Sequence, residues 1–67
     1  MPKGTVKFFH VEKGYGYIAP DDGSRDIFFD NSQVQTPEHR VMEGQRVEYE
    51  TSLGRKGPEA IKIKTIS

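Results

Sequence analysis

Apolar and polar residues alternate with a period of two over five short segments of the chain, and no stretch of ten or more residues carries a helical stripe. Alternation of this kind marks half-buried β-strands. It predicts strands over Gly4 to His10, Tyr15 to Pro20, Asp26 to Asp30, Arg46 to Leu53 and Glu59 to Ile66. Turn-forming residues separate them at Glu12-Lys13-Gly14, Asp21-Asp22-Gly23-Ser24 and Gly54-Arg55-Lys56-Gly57-Pro58. The longest connection, Asn31 to Gln45, contains Pro37 and Gly44 and has room for one short helical turn around Ser32-Gln33-Val34. No internal repeat or low-complexity tract is present. Five strands in 67 residues must close on themselves to cover one core. The expectation is a single all-β domain over residues 1–67, built as a small five-stranded antiparallel barrel of the oligonucleotide-binding or SH3 type.

Alternation also assigns faces. In the second strand Gly14, Gly16 and Ile18 share one face while Tyr15, Tyr17 and Ala19 share the other; in the third, Ile27 and Phe29 oppose Asp26, Phe28 and Asp30. With Val6, Ile18, Ile27, Phe29, Val47, Ile61 and Ile63 pointing inward, Tyr15, Tyr17 and Phe28 point outward from adjacent strands. Rings left in water as a group mark a contact surface. The competing reading makes them core, filling a barrel short of aliphatic residues. Tyr15 and Tyr17 resist it best, because a buried hydroxyl needs a partner.

Composition narrows the chemistry. With no cysteine there is no disulfide, thiolate nucleophile or Cys-based metal site, and a core of this size nets only about 3–5 kcal/mol. No apolar run exceeds three residues, as in Ile27-Phe28-Phe29, so no helix spans a membrane, and the first twenty residues hold no signal-peptide core; a cytoplasmic protein is expected. Ten basic residues balance ten acidic ones. That balance is uneven along the chain, with basic surpluses of two in residues 1–20 and three in residues 51–67 around an acidic excess of five in residues 21–50. Both ends on one side of a barrel would make a basic face, so net charge alone does not exclude a polyanion.

Six of the seven aromatic residues fall between Phe8 and Phe29, interleaved with Lys7 and Lys13. This combination suits single-stranded nucleic acid: a ring stacks a base of any sequence for about 1–3 kcal/mol, while lysines track phosphates. Enzyme chemistry finds little support. His10 and His39 are the only imidazoles and lie in different segments without a carboxylate cluster at ligand spacing, so no metal or cofactor is expected, and His39 reads as solvated. Asp21-Asp22 sits in a Gly-Ser turn where side-chain-to-backbone bonding accounts for it. Gly14-x-Gly16 neither opens a helix nor precedes the Lys-Ser/Thr of a phosphate loop.

Lys13-Gly14-Tyr15-Gly16-Tyr17-Ile18 resembles the first RNP-type motif of the bacterial cold-shock proteins, usually Lys-Gly-Phe-Gly-Phe-Ile, and Asp26-Ile27-Phe28-Phe29 resembles the start of the second. Gly4-Thr5-Val6-Lys7-Phe8-Phe9 is similar to the family's Gly-x-Val-Lys-Trp-Phe, and Glu43-Gly44-Gln45-Arg46-Val47 and Gly57-Pro58-Glu59-Ala60 to its later signatures. The resemblance covers nearly the whole chain. It implies an oligonucleotide-binding barrel, the cold-shock domain, that binds single-stranded RNA and DNA with low sequence specificity and acts as an RNA chaperone with roles in cold adaptation and in transcription or translation control. It further implies that Phe8, Tyr15, Tyr17 and Phe28 stack bases and that Lys7, Lys13 and Lys56 approach the strand or its phosphates; Phe9, His10, Asp26 and Asp30 are expected as peripheral contacts. Strict alternation would put Phe8 on the face of Val6. A bulge or bend is therefore expected near Phe8-Phe9, which leaves Phe9 divided between platform edge and core.

The departures from the family pattern fall at Asp30 and Asn31, where it has His and then an aromatic, and in Asn31 to Gln45, which contains no Phe, Tyr or Trp. Four rings remain, so binding is expected to survive in weakened form. A carboxylate at residue 30 repels phosphate yet accepts hydrogen bonds from a cytosine amino group or guanine edge donors. The expectation is that Asp30 trades affinity for base preference; the plainer alternative is a solvated acidic residue ending a strand. The partners expected are single-stranded RNA and DNA, with no membrane and no small-molecule substrate, bound by a monomer. The alternative function is a small β-barrel protein-interaction module with weakened nucleic-acid binding.

Overall fold

The computed structural model describes residues 1–55 and 57–66; Lys56, one of the expected phosphate contacts, lies outside the described residues. Five strands form, β1 (Lys3–His10), β2 (Tyr15–Pro20), β3 (Ile27–Asp30), β4 (Arg46–Gly54) and β5 (Gly57–Thr65), with one 3₁₀ turn at Asn31–Gln33. They close into a barrel in the order β1-β2-β3-β5-β4. Pairing is antiparallel except for a short parallel contact of β3 with β5, Phe28 opposite Glu59 and Phe29 opposite Ala60. The long connection is fastened to the same strand, through a parallel bridge between Val34 and Ile63 and a bond from the Gln35 N–H to the Ile63 carbonyl at 2.8 Å.

The core comprises Val6, Ile18, Ile27, Phe29, Val34, Val41, Val47, Tyr49, Ala60 and Ile63. Six of the seven expected inward residues are among them; Ile61 is only half-buried. The reason is a bulge in β5. Glu48 pairs with Lys64 and Glu50 with Ile61, so Lys62 and Ile63 together face the single residue Tyr49. Lys62 takes a left-handed backbone (φ 51°), which sets inward residues Ala60 and Ile63 three positions apart where alternation expects two.

A second bulge lies in β1, where the fold needs it. Val6 pairs with Ile18 and Phe8 with Tyr17, leaving Lys7 as the extra residue. Val6 can thus be buried while Phe8 joins the outer face. Phe9 resolves to the inside: it is half-buried, and its ring lies parallel to Phe29 with centroids 5.8 Å apart and planes 4° apart.

Polar contacts tie the turns to the barrel. The Arg46 guanidinium donates to both carboxylate oxygens of Asp21 at 2.6 Å and to the Thr5 hydroxyl at 3.0 Å. This donation holds the Asp21 carboxyl below its ordinary pKa. The Asp22 carboxylate accepts from the Ser24 N–H at 2.8 Å, closing the turn as its residues suggest. His39 is exposed but more than solvated, since its Nδ1–H donates to the Val34 carbonyl at 2.9 Å.

Candidate nucleic-acid interface

Register across β1, β2 and β3 sets the outer face in two rows. Phe8, Tyr17 and Phe28 are directly opposed, and so are His10, Tyr15 and Asp30. Directly opposed residues on neighbouring strands share a face. Between the two rows runs an inward row of Phe9, Gly16 and Phe29. Here glycine is required by space, because a Cβ on residue 16 would stand 2.7 Å from Cζ of the fully buried Phe29.

The rings form one connected array with Tyr15 at its centre. Tyr15 lies 5.8 Å from Phe28 and 5.9 Å from His10 at interplanar angles of 22° and 16°, and it meets Phe8 and Tyr17 edge-on at 6.0 and 6.3 Å. Tyr17 meets Phe28 edge-on at 5.9 Å. Offset-stacked and edge-on pairs at such distances stabilise one another, so the array is ordered before any ligand arrives. Phe8 (36%) and Tyr17 (39%) are the more exposed members, whereas Tyr15 and Phe28 are half-buried. All four expected stacking residues thus stand on one surface.

The basic residues are arranged less simply. Lys7, on the β1 bulge, forms an ion pair with Asp26 at 2.9 Å, so two expected site residues engage each other at the edge of the platform. Lys13 is exposed in the β1–β2 turn, and its backbone N–H donates to Nδ1 of His10 at 3.2 Å. The same turn closes through the Gly14 N–H and the His10 carbonyl at 2.8 Å. Elsewhere Arg46 pairs with Asp21 and Lys62 with Glu50. Among the described residues a fourth ion pair joins Arg40 to Glu38, so Lys7, Arg40, Arg46 and Lys62 each face a carboxylate.

Asp30 and Asn31 do structural work. The Asp30 carboxylate accepts from the Ser32 N–H at 2.9 Å and caps the 3₁₀ turn. Asn31 packs its amide over Gly14, whose positive φ of 70° favours glycine. Its backbone N–H donates to the Gly14 carbonyl at 2.9 Å.

Beyond Tyr17 and Phe28 the platform runs into a groove of about 840 Å³, bounded on its far side by Leu53, Gly54, Arg55, Gly57, Pro58 and Glu59 of the β4–β5 hairpin. Leu53 and Arg55 were not singled out by sequence. Leu53 is 86% exposed, an apolar side chain at a hairpin tip whose only linear signal is a break in the polar pattern of that turn. Among the described residues no group of three or more His, Cys, Asp or Glu side chains is placed to hold a metal ion.

Comparison with known proteins agrees with this geometry. The family model described as the 'Cold-shock' DNA-binding domain matches residues 2–66. The probable cold shock protein A of Mycolicibacterium smegmatis is 48% identical over 67 residues, covering 98% of this chain and all of that protein. The cold shock-like protein CspE of Escherichia coli K12 is 48% identical over 62 residues, 91% of this chain and 90% of the relative. In structure the chain resembles the Drosophila Unr segment CSD456 with a TM-score of 0.83 at 20% identity, covering 98% of this chain but 26% of that larger one, a likeness of fold. An all-β barrel with an outward ring array, matched over nearly its whole length by this model and these relatives, belongs to the cold-shock domain family of non-enzymatic nucleic-acid-binding proteins.

Proposed function

We propose that this protein binds single-stranded RNA and DNA with low sequence specificity, as a cytoplasmic monomer, and acts as an RNA chaperone in cold or stress adaptation and in control of transcription or translation. The observation that carries the reading is the ring array of Phe8, Tyr15, Tyr17 and Phe28 on one surface, flanked by Lys7 and Lys13. Base faces are available to such an array only when the strand is unpaired. Binding therefore draws the paired–unpaired equilibrium toward the open strand by mass action, without ATP. Each stacked base contributes about 1–3 kcal/mol, offset by the ordering of a flexible strand, and the resulting moderate affinity lets the strand leave again.

Tyrosine emission reports binding directly, because the chain has no tryptophan and two of its three tyrosines lie in the array. Titration with a short oligothymidylate in low salt is expected to change that emission saturably. The double variant Tyr15→Ala/Tyr17→Ala is expected to remain folded by circular dichroism and to lose binding, followed through fluorescein on the oligonucleotide. No binding by the unmodified protein at submillimolar concentration would overturn the reading and return the array to a protein-contact role.

A further inference from the structure

The two rows of the outer face differ in chemistry. Phe8, Tyr17 and Phe28 are all rings, whereas Tyr15 is flanked by His10 on β1 and Asp30 on β3. His10 lies nearly parallel to Tyr15 and edge-on to Phe8. Its Nδ1 accepts from the Lys13 N–H, so in the neutral ring the proton sits on Nε2. Among the described residues Nε2–H has no protein partner, and no buried side-chain nitrogen or oxygen lacks one, so this donor reaches solvent at the platform. On the other side of Tyr15 the Asp30 carboxylate gives Oδ2 to the Ser32 N–H, leaving Oδ1 and its lone pairs open. A stacking ring thus has an outward donor on one flank and an acceptor on the other.

Resting on the nucleic-acid reading above, we infer that this polar row reads guanine. A base stacked on Tyr15 occupies the gap of two strand spacings, about 10 Å, between the β1 and β3 backbones that carry His10 and Asp30 at the register of Tyr15. Guanine presents the complementary edge, with O6 accepting from His10 Nε2–H and N1–H and N2–H donating to the Asp30 carboxylate. Adenine and cytosine present an amino donor where His10 also donates, and uracil and thymine lack the second donor for Asp30. The all-ring row supplies sequence-tolerant stacking, and the polar row selects at one nucleotide.

Thymidine hexamers with one residue at a time replaced by dG, dA, dC or deoxyinosine test this by fluorescence anisotropy. At one position dG is expected to bind on the order of thirtyfold more tightly than dA or dC, with deoxyinosine, which lacks the N2 amino group, in between. Asp30→Asn keeps an oxygen for the Ser32 cap and turns an amide donor toward the base; it is expected to abolish the preference while leaving the unsubstituted hexamer bound. His10→Phe keeps the ring and loses the donor, and is expected to cut the preference about fivefold. Equal binding of dG, dA and dC at every position would overturn the inference, as would a preference that persists in Asp30→Asn. A uniform gain of affinity in Asp30→Asn, with no change of preference, would show that the carboxylate only repels phosphate. If no hexamer binds at all, the nucleic-acid reading itself has failed.

Discussion

A methyl group added to Gly16 would meet the Phe29 ring on one side and the Phe8 carbonyl on the other, and neither has room to move. Phe29 is fully buried and the Phe8 carbonyl belongs to the paired β1 backbone. Gly16→Ala is therefore expected to destabilise the barrel by about 1–3 kcal/mol, the usual cost of overpacking. Urea unfolding followed by tyrosine emission checks it; an unchanged midpoint would mean that the Phe9–Gly16–Phe29 row is looser than these distances imply. Lys62 gives the opposite expectation. Its left-handed backbone is costly for a residue with a Cβ, and its ion pair with Glu50, exposed and 3.9 Å long, offsets little of that cost. Lys62→Gly relieves the strain at some cost in chain entropy, for an expected net gain of about 0.5–1 kcal/mol in the same measurement.

At the scale of elements, period-2 alternation made all five strands legible, because each has one wet face and one dry one. It failed where the backbone leaves that period. The β1 bulge was foreseeable because the linear pattern put Phe8 on the inward face of Val6 while the family resemblance put it outside. The β5 bulge left no such conflict: Ile61 and Ile63 looked like an ordinary inward pair, and only the left-handed Lys62 separates them. Val34 and Val41 went unassigned because their burial depends on how the long connection folds back on β5, information that no local period holds. The candidate stacking rings were readable from alternation and from resemblance, whereas the flanking of Tyr15 by His10 and Asp30 required the register of three strands.

Between elements, the Asp21–Arg46 bond joins the β2–β3 turn to the start of β4, and its contribution depends on pH. Because the folded-state pKa of Asp21 is lowered, the bond adds stability above the unfolded-state value and loses it as pH falls through the folded one. Asp21→Asn is thus expected to be less stable than the unmodified protein at pH 7. The gap should close progressively below about pH 5. Urea midpoints of the two proteins at pH 7 and near pH 2.5 provide the comparison. A gap that stays constant would assign the loss to packing of the turn, with the ion pair contributing nothing.

For the whole molecule, zero net charge and the pairing of Lys7 and Arg46 with carboxylates leave little net charge to draw in a polyanion. Stacking, which salt affects little, then supplies most of the affinity, with a counterion term from the phosphate contacts on top. Three to five phosphate contacts on a single strand give a slope of log K against log salt of about −2 to −3.5. Lys7 sets where in that range the protein falls, because its ammonium already faces the Asp26 carboxylate at 2.9 Å and neutralises a phosphate only by sharing or breaking that pair. The unmodified protein is expected near the shallow end. Asp26→Asn releases Lys7 and should tighten oligothymidylate binding in low salt while steepening the slope by up to about 0.7, the share of one further contact. Asp26→Asn/Lys7→Gln should restore the shallow slope. If Asp26→Asn instead weakens binding at every salt concentration and leaves the slope unchanged, the carboxylate contacts a base directly and Lys7 is not held in reserve.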